Sequence, residues 1–296
     1  MKRYLSKHYT LKRKIQVLEE LFFRSAMLTA SILITLALCS IIWSIMQKGL
    51  PCLSWEMISQ APKGGFYFGK EGGILNAIAG SVYLAFGSTL LAFVIGLPVA
   101  LYLNTYLQRA PRLVTIIRFI LDLLWGIPSI VYGAFGFALM VFFRLPSSLA
   151  AGIIIVALLI LPIMIRAIDE GLKSSPAGLK EAAYSLGSTN AELSFKILTR
   201  QCMPAIITAI LLSFGRAIGD AASVLFTTGF TDNIPYSLGQ PAATLPLSIF
   251  FQLSSPIPQV KERAYAAAAV LTIIILITSI LSRLLSKKHN KNIVKF

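Results

Sequence analysis

Six long, largely uncharged apolar runs alternate with polar segments along this chain, at residues 23–47, 75–106, 114–143, 148–168, 203–228 and 264–285. Each is long enough, at about 1.5 Å per residue, to cross a hydrocarbon core of about 30 Å as a helix. The pattern predicts an all-α membrane protein with six transmembrane helices and one membrane domain, residues 23–285. Runs 75–106 and 114–143 exceed the length needed, so they are expected to tilt or project. A further apolar stretch, 245–253, is too short to span and suits an interfacial or re-entrant helix.

The polar interruption 169–202 contains a second helical pattern. Leu179, Ala182, Ala183 and Leu186 stand at i, i+3, i+4 and i+7, which predicts a short helix with a narrow stripe able to lie in a groove of another protein. Ser175 suits its N-cap, Pro176 its first helical position and Gly187 a left-handed stop. Thr189 with Glu192 three residues on predicts a capping box that opens another helix. By local pattern alone the segment reads first as an ordinary solvated hairpin between spans, with a docking helix as the alternative.

Composition and charge narrow the class. With 56% hydrophobic and only 13% charged residues among 296, the chain is not a soluble domain. Its net charge of +15 resides beside alternate spans rather than on a nucleic-acid-binding face. By the positive-inside rule this places the basic N-terminus (1–22), loop 169–202 and the basic tail (286–296) in the cytoplasm, and loops 48–73, 144–146 and 229–263 outside. The first run begins too far along the chain and is too long for a cleaved signal, so it reads as an anchor. Cys39, Cys52 and Cys202 fall in different compartments, and His8 and His289 stand alone near the termini. No metal site or catalytic set can be assembled from them. The chain also lacks a phosphate-binding Gly-x-x-x-x-Gly-Lys-Ser/Thr loop, so it is not expected to hydrolyse ATP.

Ionisable residues inside spans are costly and need a reason to be there. Arg216 lies near the middle of run 203–228, among small residues, with Asp220 at i+4 on the same helical face. This reads either as a pair that fixes packing or as a guanidinium that meets an oxyanion while the acid tunes it. Arg166, at the end of its run, fits an anchoring role, and Arg118 with Asp122 reads as a local i, i+4 pair. Pro128 and Pro162 are expected to kink their helices, and Ser129 and Tyr132 beside the first kink offer hydroxyls.

These residues resemble the permease subunits of ATP-binding-cassette importers that work with an external binding protein. Glu181, Ala182, Ala183, Gly187 and Ile197 match the cytoplasmic Glu-Ala-Ala motif of that family, although Thr199-Arg200 stands where Leu-Pro is usual. The phrases Gly126-Ile127-Pro128-Ser129-Ile130-Val131-Tyr132-Gly133, Leu161-Pro162-Ile163-Met164-Ile165-Arg166 and Gly215-Arg216-Ala217-Ile218-Gly219 narrow the resemblance to phosphate permeases of the PstA type, with Asp220 replacing the usual Glu. The resemblance implies a type I importer permease core (MetI-like) with both termini cytoplasmic, in a bacterial inner membrane. It implies a substrate pathway with Arg166, Arg216, Asp220 and Ser129, and ATPase coupling through Glu181, Ala182, Ala183, Leu186 and Gly187. The implied partners are two copies of a cytosolic ATPase that holds ATP and Mg, a homologous permease of the PstC type, an external phosphate-binding protein and membrane lipid. Nucleic acid is not among them, and this chain itself binds no cofactor. A permease for sulfate or molybdate, or a stand-alone channel or secondary transporter, remains the alternative.

Overall fold

The computed structural model describes residues 2–63 and 72–289. The glycine-rich part of loop 48–73, the tail from 290, and the side chains of the first fifteen residues and of Ala177, Lys288 and His289 lie outside the described residues, and with them both histidines' side chains. The chain divides into two units, Met1–Lys48 and Gly49–Phe296. The first is one helix, α1 (Lys2–Gly49), which runs unbroken through the basic segment and the first apolar run. Phe22, Phe23, Leu33, Ile34 and Trp43 of α1 are more than half exposed. Thr29, Ser31 and Thr35 return their hydroxyls to carbonyls one turn back, which satisfies them in an apolar medium.

In the second unit the helices are α2 (Trp55–Ser59), α3 (Leu75–Thr105), α4 (Pro111–Gly126), α5 (Ser129–Phe143), α6 (Leu149–Lys173), α7 (Ala177–Ser185), α8 (Asn190–Gln201), α9 (Met203–Ile218), α10 (Leu245–Leu253) and α11 (Pro258–His289). Helices α3, α6 and α9 form the centre. Ala77, Gly80, Ser81, Ala85, Ser88, Ala92, Gly96 and Ala100 are buried along one side of α3, a small-residue stripe that lets backbones approach where no hydrophobic drive acts between spans. Leu84, Val156, Ile160, Met164, Ile168, Ile206 and Ala209 fill the space between these helices.

Two of the six runs are not single straight helices. The 114–143 run breaks into α4 and α5 at an angle of 92°. Ile127 is extended, as a residue before proline prefers, and Pro128 has no N–H to continue the ladder. The Tyr132 hydroxyl closes this corner by donating to the Leu124 carbonyl at 2.9 Å. Pro162, expected to kink its span, lies inside the unbroken α6. The 203–228 run is helical only to Ile218, and residues 222–228 form turns. Helix α9 meets α8 at 75°, with Pro204 at its start. Within α8, residues Leu193–Leu198 widen into a π turn and Thr199 donates to the Ser194 carbonyl at 2.9 Å.

The short apolar stretch 245–253 is helix α10, as expected. Leu245, Leu247 and Gln252 are buried, and the Leu245 N–H donates to the Ser81 hydroxyl of α3 at 2.7 Å. Just before it, Ala243 presses its carbonyl against Gly80, where any Cβ would collide with the carbonyl oxygen. The segment between α9 and α11 therefore enters the helix bundle rather than lying over it, and its buried Thr227, Thr228 and Thr244 side chains each engage a nearby backbone group.

Candidate functional site

The structure separates the two membrane arginines into different environments. Asp169, fully buried at the end of α6, collects most of the first environment. Arg118 of α4 grips it through both oxygens, Nε to Oδ2 at 2.9 Å and Nη2 to Oδ1 at 2.8 Å. Asn104 of α3 donates to Oδ1 at 2.8 Å, and Arg166 Nη1 to Oδ2 at 3.0 Å. Lys173 Nζ lies 3.2 Å from Oδ2. Arg166 also holds Asp122 through Nε at 2.7 Å and approaches Glu170 at 3.4 Å. The expected local pair between Arg118 and Asp122 does not form: each crosses to α6 instead, because the buried Asp169 offers a bidentate, desolvated acceptor that an exposed i, i+4 carboxylate cannot match. Arg166 is thus ion-paired on three sides.

The second environment lies at the far end of α9. Arg216 falls in the last turn of the helix, not in the middle of a span, and Asp220 lies beyond its end. Their same-face pairing was expected from a continuous helix. The pair forms only at long range, because Asp220, almost fully buried, also accepts the N–H of Ser223 at 2.9 Å and the Ser223 hydroxyl. A short acid that caps the next turn competes with helix continuation, which explains why the helix ends here. Arg216 Nη2 remains 3.6 Å from Asp220 Oδ1, and its side chain is 46% exposed. Gly133 of α5 abuts the Ala222 and Ser223 carbonyls, so the corner beside Pro128 packs on the turn after Arg216. Ser129 opens α5 one turn before that contact and is partly buried, without a hydrogen-bond partner among the described residues. The four predicted pathway residues therefore divide: Arg216, Asp220 and Ser129 belong to one end of the fold, and Arg166 to the Asp169 network.

Helix α7 begins one residue later than expected. Pro176 occupies the N-cap position without a capping side chain, and Ser175 Oγ is buried with no hydrogen-bond partner. The stop is as expected: Gly187 has φ +81°, Ser188 N–H donates to Ala183 and Gly187 N–H to Tyr184, each at 3.0 Å. The capping box at Thr189 and Glu192 is also formed. The predicted stripe splits. Ala183 is buried against its own chain, whereas Glu181, Ala182, Leu186 and Gly187 face outward, Leu186 at 87% exposure. Half-buried Lys180 ties α7 to the first network by donating to the Asn104 carbonyl at 3.2 Å, and burial pulls its pKa below the usual lysine value.

Sequence reading missed Asn104, Asp169 and Ser223. Asp169 carried a signal, since it follows Arg166 at i+3 on a helix. Asn104 and Ser223 carried none, because their roles arise from packing across elements or from a turn.

Comparison with solved structures defines the class. The structure of the MetNI methionine ABC transporter in inward-facing conformations matches with a TM-score of 0.61 over 73% of this chain and 95% of that one, at 19% identity. An amino acid ABC transporter with histidines matches at 0.53 over 72% and 94%, at 20% identity. The fold is that of an ABC importer permease. Residues 92–291 match the family described as the binding-protein-dependent transport system inner membrane component, and the chain belongs to that family. It is 34% identical over 254 residues to the phosphate transport system permease protein PstA of Pasteurella multocida (strain Pm70), covering 86% of this chain and 89% of the relative. A probable phosphate transport system permease protein PstA of Methanocaldococcus jannaschii is 30% identical over 269 residues, 89% of this chain and 92% of that protein.

Proposed function

We propose that this chain is the permease subunit through which an ATP-driven importer moves inorganic phosphate, with Arg216 as the pathway residue that meets the anion. The observation that carries the reading is the state of that guanidinium. It lies at the end of a membrane helix, half-exposed, and its one acidic neighbour is 3.6 Å away and already bonded to Ser223. A planar fork of donors held in this way can exchange a weak internal partner for two phosphate oxygens. Asp220 keeps the site from holding the anion too tightly, which a pathway requires. Similarity to phosphate permeases over most of the chain supports phosphate as the cargo.

In this reading Arg166 keeps the ends of α4 and α6 together, because its charge is already matched by carboxylates. Helix α7 docks on one copy of a cytosolic ATPase pair through Glu181, Ala182, Leu186 and Gly187, and Ala183 fixes the helix to the permease. The network from Lys180 through Asn104 to Asp169 then transmits the pull of ATPase closure to α3, α4 and α6. A homologous permease subunit of the PstC type completes the pathway, and an external binding protein delivers the anion.

The test is uptake of radiolabelled phosphate by proteoliposomes containing the whole complex. Uptake is expected to require ATP and to resist excess sulfate or molybdate, and Arg216→Gln is expected to reduce it while the complex still assembles. Equal competition by sulfate would change the cargo. Transport without the ATPase would refute the importer reading.

A further inference from the structure

A cleft of about 520 Å³ opens between α9 and the last third of α11, and neither Arg166 nor Arg216 lines it. Its α11 wall carries Ser279, Ser282, Arg283 and Lys287, at i, i+3, i+4 and i+8, so they share one helical face. Among the described residues, neither Arg283 nor Lys287 has an acidic partner, and the Ser279 and Ser282 hydroxyls have no hydrogen-bond partner. The opposite wall is built from Leu211 and Leu212 of α9, with Thr208 beside them returning its hydroxyl to the Pro204 carbonyl, and Leu212 is more than half exposed. Arg283 and Lys287 stand at the end of an apolar spanning helix, the depth at which basic side chains reach lipid headgroups.

We infer that this cleft is a binding site for an anionic phospholipid: the phosphodiester is held by Arg283, Lys287 and the serine hydroxyls, and an acyl chain lies along Leu211 and Leu212. Two unpaired cations with free hydroxyls call for an anion with several acceptor oxygens. The adjoining leucine wall favours a headgroup joined to a hydrocarbon chain over a free ion, which would leave that wall uncovered. None of Arg216, Asp220 and Ser129 lines the cleft, so its failure would leave the phosphate reading intact.

The test uses the purified full complex in nanodiscs, with bound lipid counted by native mass spectrometry after exchange into mixtures of phosphatidylglycerol and phosphatidylcholine. The wild type is expected to retain phosphatidylglycerol preferentially. Arg283→Gln and Lys287→Gln should each lower that preference about fivefold, from about 1 kcal/mol per basic residue at a negative surface. Ser282→Leu keeps both charges but fills the cleft, and should also lower retention. Equal retention by the wild type and all three variants would overturn the inference. So would binding of inorganic phosphate that is lost in Arg283→Gln while phosphatidylglycerol retention is unchanged. If Arg283→Gln does not assemble, Ser282→Leu decides by itself, with retention at the wild-type level counting against the site.

Discussion

Arg166 and Arg216 look alike in the primary structure: each sits in an apolar run, and each has an acid three or four residues later. Their surroundings are opposite. Around Arg166, helices α4 and α6 deliver Asp122, Asp169 and Glu170, and Asp169 is fully buried and held in turn by Arg118, Asn104 and Lys173. Around Arg216, one acid stands at 3.6 Å and is itself occupied by a serine in the next turn. The difference teaches that a buried charge is spent on architecture when its partners come from several elements, and stays available for a ligand when its one partner is bonded elsewhere.

Four substitutions test this contrast, in descending order of expected effect. Asp169→Asn should strike the hardest, because it leaves Arg118 and Arg166 facing a neutral acceptor in a buried site. A loss of about 3 kcal/mol is expected, seen as a lower melting temperature of the detergent-solubilised complex, with uptake falling only in proportion to intact complex. Arg216→Gln should do the reverse. Uptake should fall about 10- to 100-fold, the value of a charge-assisted hydrogen bond, with the melting temperature unchanged; a drop in stability comparable with that of Asp169→Asn would erase the distinction.

Ser223→Ala sharpens the comparison from within the second environment. Freed from the serine hydroxyl, Asp220 should close on Arg216, so phosphate uptake should fall several-fold at a cost of about 1 kcal/mol in stability. Unchanged uptake would mean that the Ser223 bond does not govern the arginine. Tyr132→Phe should be the mildest, removing one hydrogen bond across the α4–α5 corner for about 1 kcal/mol or less. Thermal unfolding is expected to register it while uptake stays within twofold.

Much of the fold was legible in advance because membrane physics writes it into the pattern. Uninterrupted apolar length foretells helices α3, α6 and α11, and the shortness of 245–253 foretells a helix that does not cross. Gly187 and the Thr189–Glu192 box announced the end of α7 and the start of α8, since both depend on bonds within six residues. The 92° corner was only half legible. Pro128 predicted a disturbance, but the same residue type at Pro162 leaves α6 unbroken, and what holds the corner is the Tyr132 hydroxyl together with the turn packed on Gly133.

The sequence by itself determined that this is a helical membrane protein, which residues carry charge into its spans, and where the exposed helix between the fourth and fifth runs begins and ends to within a residue. Those properties depend on transfer energies and on neighbours close along the chain. Tertiary structure alone decided that Arg118 crosses to Asp169, that Ala183 turns inward while Leu186 stays exposed, and that α9 stops at Ile218 and leaves Arg216 loosely held. Each of these is a choice among competing partners, settled by burial and by contacts between distant segments, such as Arg118 and Asp169, 51 residues apart, and no local pattern contains that information.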